Sequence, residues 1–183
     1  MQGVAKIGTS WLLLAASLAW GQDLIGPKGP SVTMLPAPII SIPGGKPGEV
    51  QLRFRVVRGY HVNSNRPKAE FLIPTALKLD APTDIVVGKI SYPPGQDMSF
   101  PFSPDEKLSV YSGDFLVAVV VRPLHTVIPG KYMLHGKLRY QACDKAACYP
   151  PKELPVEFEV KVAKAAAPHK GNPAQSPHVH RLR

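Results

Sequence analysis

In residues 50–56, Val50, Leu52, Phe54 and Val56 alternate with Gln51, Arg53 and Arg55. A period of two sends successive side chains to opposite faces of an extended chain, so this segment is a half-buried strand. The same pattern recurs in residues 131–140, where Leu134, Leu138 and Tyr140 alternate with His135, Lys137 and Arg139. Residues 115–121 (Phe-Leu-Val-Ala-Val-Val-Val) are apolar on both faces and predict a central strand. Further strands are expected over 37–42, 60–62, 75–79, 85–92, 108–111 and 156–162. Turn signals separate them: the Gly44–Gly48 segment, Ala81-Pro82, Pro93-Pro94-Gly95, Ser112-Gly113 and Pro129-Gly130. Short strands at this spacing, with 21 prolines and no helical periodicity, predict an all-β chain built as a β-sandwich.

The 183 residues suffice for one domain with a real core plus extensions. Residues 1–21 read as a secretory signal: Lys6, an apolar run from Trp11 to Leu18, and a small-x-small site at Ala19-Trp20-Gly21 before Gln22. The apolar run is short for a membrane span, and no cysteine lies near the cleavage site to carry a lipid. The expectation is a soluble protein exported to an oxidising compartment, with no stable membrane insertion after cleavage. Residues 22–34 are expected as a flexible lead-in, 35–163 as the domain, and 164–183 as a disordered tail. The net charge of +9 raises nucleic acid or anionic lipid as partners. The charges are scattered without a Lys/Arg run, so a solvated surface is the better reading and no nucleic-acid partner is expected.

The only two cysteines, Cys143 and Cys148, lie in the stretch from Tyr140 to Lys152. If the strand continues past Tyr140, Cys143 joins Arg139 and Gln141 on the polar face. The residues between the cysteines are small or charged, and Pro150 and Pro151 stiffen the exit. The sequence therefore predicts an exposed cysteine pair on a short hairpin-like loop. One reading is a structural disulfide, common in exported proteins. Such a bridge would close a loop of about six residues, worth about 2 kcal/mol of chain entropy, less than a bridge between distant strands would give. The other reading is a redox pair: Arg139, Lys145 and Lys152 favour a thiolate, with Asp144 opposing them. The spacing is less specific than C-x-x-C, and both readings stay open on composition.

Tyr140-Gln141-Ala142-Cys143 followed by Cys148-Tyr149-Pro150-Pro151-Lys152 resembles the active-site segment of the family of N-terminal periplasmic domains of the thiol:disulfide interchange protein DsbD. Two upstream segments resemble it also: the nine residues from Gly59 to Pro67, and Val110 to Phe115. The three occur in order across roughly residues 48–162. The resemblance implies an immunoglobulin-like β-sandwich in the periplasm. It implies that the Cys143/Cys148 pair relays electrons between a thioredoxin-like domain and oxidised periplasmic proteins, with no cofactor beyond the disulfide. It further implies that Cys148 forms the mixed disulfide and Cys143 resolves it. Only the N-terminal portion of the transporter is covered, so electrons are expected from a separate membrane donor.

The resemblance also marks the surroundings of the pair. Tyr149 and Pro150 follow Cys148 directly. Tyr60 and Asn63 fall where family residues line the site, although a core tyrosine and a turn asparagine explain them equally. His61 stands where some relatives carry a bulkier aromatic; it either lies near the cysteines or is merely solvated, the more usual state of a lone histidine. Residues 92–107 form the longest stretch without strand pattern and carry Met98, Phe100 and Phe102. They are either a surface loop tucking aromatics into the core edge or a lid over the cysteines, with Phe100 or Phe102 as the covering ring; Pro104 and Asp105 stand closer to the family's lid position. Two alternatives lie in a different class: an exported immunoglobulin-like binding module with a structural disulfide, or a binding protein in which the two cysteines as thiolates, with a histidine or methionine, hold copper or zinc. No C-x-x-C or H-x-x-x-H spacing supports the second, the tail residues His169, His178 and His180 lack a fixed scaffold, and no metal site is expected.

Overall fold

The computed structural model describes residues 31–165, and among these every regular element is a strand. The expected signal, residues 1–21, and nearly all of the expected tail lie outside the described residues. Two four-stranded sheets face each other. The first has the order β1 (Val32–Met34), β3 (Gly48–Val56), β9 (Asp114–Pro123), β6 (Ile85–Ser91). The second has the order β2 (Ile40–Pro43), β12 (Lys152–Ala163), β10 (Gly130–Tyr140), β5 (Ala76–Asp80), with β2 parallel to β12 and every other pair antiparallel. The inward residues of the alternating strands make the core: Val50, Leu52, Phe54 and Val56 of β3 and Phe115, Val117, Val119 and Val121 of β9 meet Leu134, Leu138 and Tyr140 of β10 and Val156, Phe158, Val160 and Val162 of β12. Phe54 and Phe115 stack with ring centroids 5.4 Å apart. The chain is an immunoglobulin-like β-sandwich.

A third, smaller sheet carries the order β11 (Ala142–Cys143), β4 (His61–Asn63), β8 (Ser103–Tyr111), β7 (Gln96–Phe100). It contributes buried apolar side chains to both sides. Val62, Tyr111 and Ala142 turn into the main core. The opposite face carries a separate small cluster, Leu72, Phe100, Leu108 and Val110. That second cluster is built by the β7–β8 hairpin and by the 64–75 connection folding over the sheet.

Two expectations differ from this structure. Val32–Met34, placed in the flexible lead-in, pairs with β3, and Ser31 and Val32 are buried. Residues 92–107, read as lacking strand pattern, contain β7 and half of β8, which pair with each other as a hairpin that β4 anchors at Val110 and Tyr111. The apolar run of β9 is the central strand expected of it, flanked by β3 and β6; on its outer face Leu116 is exposed and Ala118 and Val120 are half-buried. Among the described residues no helix is long and apolar enough to cross a membrane.

Gly136 breaks the alternation of β10 for a steric reason. A Cβ there would stand 2.2 Å from the Lys78 carbonyl oxygen and 3.0 Å from the Leu79 Cα of β5. Gly136→Ala is expected to push β5 off β10 and cost about 1–3 kcal/mol. A urea midpoint equal to that of the parent would refute the close approach.

Candidate active site

The two sulfurs differ in their access to solvent. Cys143 and Cys148 are joined by a disulfide, with Cα atoms 4.0 Å apart. The loop between them is closed by backbone bonds from Asp144 N to Ala147 O (2.9 Å) and from Tyr149 N to Ala142 O (2.9 Å). Cys143 is fully buried, which corrects the expected exposed pair. The face was read correctly: Tyr140 and Ala142 point into the main core, so Cys143, one position on, points away from it. That outer face is covered here by the small cluster and is not solvated. Cys148 is half-buried. It opens on an apolar cleft of about 230 Å³ lined also by Phe71, Leu72, Phe102, Leu108 and Ala147. Phe71 is 79% exposed and Phe102 37% exposed.

The inter-cysteine loop is organised by Asp144. Its Oδ1 accepts from the amides of Ala146 (2.7 Å) and Ala147 (2.9 Å), and its Oδ2 accepts from the Tyr149 hydroxyl. These donors, the Tyr149 hydroxyl foremost, hold the Asp144 carboxyl below its ordinary pKa, and the same contact raises the Tyr149 phenol. Tyr149 also meets Tyr60 edge to face, with centroids 6.2 Å apart. Tyr60 is half-buried against the main core, and Pro150 is exposed where the chain leaves the loop. Of the cations expected to favour a thiolate, Arg139 lies on the outer face of β10 opposite Glu153, and Lys145 is exposed at the loop.

Asn63 is fully buried and fixes the step from β10 into β11. Its Nδ2 donates to Ile73 O (3.0 Å) and to Gln141 Oε1 (3.0 Å), and that same Gln141 oxygen accepts from Ile73 N (3.1 Å). Thr75 Oγ1 donates to Asn63 O at 2.6 Å. Asn63 is therefore no solvent-facing turn residue: it ties the segment leading into Cys143 to the 64–75 connection.

His61 is not solvated either. It is the cross-strand partner of Cys143 and is 4% exposed. Phe100 stacks on its ring at 3.9 Å, and Phe102 lies beyond at 6.4 Å. Burial pushes the imidazole down to about 4, opposed in part by the Asp144 carboxylate. Phe100 thus belongs to the small cluster, while Phe102 stands at the rim beside Cys148. Sequence reasoning missed Phe71 altogether, weighed a place near the cysteines for His61 but favoured solvent, and read Asp144 only as a charge opposing the nearby cations. Their neighbours come from strand pairing and loop folding, which local pattern does not encode; the Asp144 turn alone had a local signal, an Asp two and three residues before free amides. Among the described residues, no three His, Cys, Asp or Glu side chains gather as metal ligands would.

The family model described as thiol:disulfide interchange protein DsbD, N-terminal, matches residues 34–160. The chain is similar to the Neisseria meningitidis DsbD N-terminal domain in its reduced form, with 26% identity over 76% of this chain and 90% of that one and a TM-score of 0.42. It is also similar to the DsbD N-terminal domain in complex with the PilB N-terminal domain from the same organism, with 24% identity over 75% and 87% and a TM-score of 0.40. A type I cohesin of ScaB from Pseudobacteroides cellulosolvens gives 16% identity over 76% and 97% and a TM-score of 0.44. No curated protein matches the chain significantly.

Proposed function

Because this chain belongs to the family of DsbD N-terminal domains, whose business is thiol–disulfide interchange, we propose that its Cys143/Cys148 pair relays electrons from a thioredoxin-like donor to oxidised proteins of the periplasm. The observation that carries the reading is the unequal placement of the sulfurs: Cys148 on an apolar cleft, Cys143 sealed under the small cluster. In the reduced protein, the Cys148 thiolate attacks one sulfur of a partner disulfide. A mixed disulfide forms and the partner's other sulfur leaves as a thiolate. The Cys143 sulfur then attacks Cys148 Sγ, the intermolecular bond breaks, and the partner departs with both thiols. Two electrons have passed, and the Cys143–Cys148 disulfide returns to the reduced state by the reverse exchange with a thioredoxin-like donor, itself fed by a separate membrane chain. No organic cofactor enters, because the disulfide carries the electrons.

Tyr60, Tyr149 and Pro150 shape the exit side of Cys148, Asn63 positions the Cys143 segment, and Phe100 with Phe102 forms the lid. Phe71 and Phe102 flank the sulfur on which a partner must land. The segment over residues 1–21 directs export, and mass spectrometry of protein from its native host should find Gln22 as the new terminus.

Cys143→Ser is expected to trap a long-lived covalent complex with an oxidised thioredoxin-like partner on a non-reducing gel, and Cys148→Ser to trap far less. Equal trapping would sink the assignment of the sulfurs while leaving the redox reading standing. The burial of Cys143 favours one second reading, a binding module with a structural disulfide. A reduction potential well below about −300 mV in a glutathione titration would select it.

A further inference from the structure

The exchange reaction leaves one proton without an acceptor. When Cys143 attacks the mixed disulfide it must lose its thiol proton, and a fully buried sulfur has no water to take it. The structure places one uncommitted base beside that sulfur. His61 and Cys143 are directly paired across β4 and β11, and facing side chains in an antiparallel pair have Cβ atoms about 5 Å apart. His61 Nε2 is buried and makes no hydrogen bond. A buried imidazole nitrogen without a partner carries a cost of order 1–3 kcal/mol, which folding alone gives no reason to keep.

We infer that His61 is a catalytic base: on the premise that Cys148 holds the mixed disulfide, its Nε2 takes the Cys143 thiol proton as the Cys143 sulfur attacks Cys148. The S–H bond of Cys143 breaks and an N–H bond forms on His61. The new S–S bond forms between Cys143 and Cys148, the bond to the partner breaks, and the partner sulfur leaves with the electron pair. The imidazolium then returns its proton to that thiolate or to water. In the other direction, as a donor's thiolate attacks Cys148, a protonated His61 protonates the departing Cys143 sulfur.

The surroundings suit this cycle. The β7–β8 turn lays the rings of Phe100 and Phe102 over His61; β11 presents Cys143; and the charge acting on it is the Asp144 carboxylate after β11. With the hairpin closed, desolvation keeps the imidazole neutral. When a partner displaces Phe100 the ring is rehydrated, and its basicity returns toward the ordinary value of about 6.5. The neighbouring carboxylate then stabilises the imidazolium.

The test uses reduced full-length protein and an aromatic disulfide, dithio-bis-nitrobenzoate, as probe. Its thiolate leaves without a proton, so the first coloured release reports attack by Cys148 and the second reports only the resolving step of Cys143. In His61→Phe, which keeps a ring under Phe100, the first phase is expected to stay within about two-fold, and the second to slow by about ten-fold or more near pH 6. Its pH profile should change from that of an imidazole to that of a thiol, still rising near pH 8. His61→Gln, which also lacks a titrating nitrogen, should behave alike and serves if the phenylalanine variant does not fold. A second phase of unchanged rate and profile in either variant overturns the inference, as does equal slowing of both phases. The single-cysteine variants separate the premise from the inference: faster first release from Cys148→Ser than from Cys143→Ser overturns both, whereas faster release from Cys143→Ser together with normal resolution in His61→Phe overturns His61 alone.

Discussion

Phe100→Ala is expected to destabilise the oxidised protein by about 3 kcal/mol, with Phe102→Ala costing less than about 1 kcal/mol. The two rings stack 5.4 Å apart at one turn, yet Phe100 is buried among Leu72, Leu108 and Val110 while Phe102 stands at the surface. Truncating Phe100 opens a cavity beneath the hairpin and removes the ring that shields His61. Truncating Phe102 removes only the wall beside Cys148. Both variants, once reduced, should react faster with hydrogen peroxide. Urea unfolding read beside the oxidation rate separates the roles: an unaltered oxidation rate in both would remove the lid from these residues, and equal stability losses would remove the distinction between them.

Asn63→Ala should cost about 2–4 kcal/mol, because it strips the part-buried Ile73 carbonyl of its amide donor and leaves the Gln141 side-chain oxygen held by one bond instead of two. The loss should also reach the chemistry. Gln141 immediately precedes the short strand that seals Cys143, so a loosened Gln141 makes that sulfur more accessible. Cys143 alkylation in an Asn63→Ala, Cys148→Ser background should rise accordingly over the Cys148→Ser parent. A urea midpoint matching the parent would show that the network contributes little.

The charge on Asp144 gives these experiments a pH boundary. Its folded pKa is depressed, so the support it lends the loop is fully present above the unfolded value of about 3.9 and is lost as pH falls through the folded value. Work near pH 6 therefore keeps the loop intact while the imidazole chemistry is sampled.

The sandwich was legible where one face of a strand meets the core and the other meets water. Val50 through Val56 and Leu134 through Tyr140 are buried where the period of two places them. The cysteine pair and its family were legible from the residues around it. The depth of Cys143 was not, because the alternation names a face without saying what covers it. The cover comes from residues 64–75 and 96–108, far along the chain, whose polar, proline-bearing sequence carries no strand pattern of its own. His61 illustrates the same limit: a histidine beside Val62 looks solvated until strand pairing sets it against Cys143 and a hairpin lays Phe100 over it.

The third sheet turns one face to the sandwich core and the other to the cluster over the cysteines. Exposing Cys143 needs only that outer cover to lift, a sub-global excursion that leaves the inner face packed. Reactivity and thermal endurance are then separately adjustable. Substitutions that strengthen the packing of Phe54, Leu134 or Phe158 raise the temperature at which the domain melts without slowing thiol–disulfide exchange, and a change at the rim ring of Phe102 retunes that exchange without endangering the fold. A lineage moving to a hotter habitat or a new redox partner could meet each demand at a different set of positions.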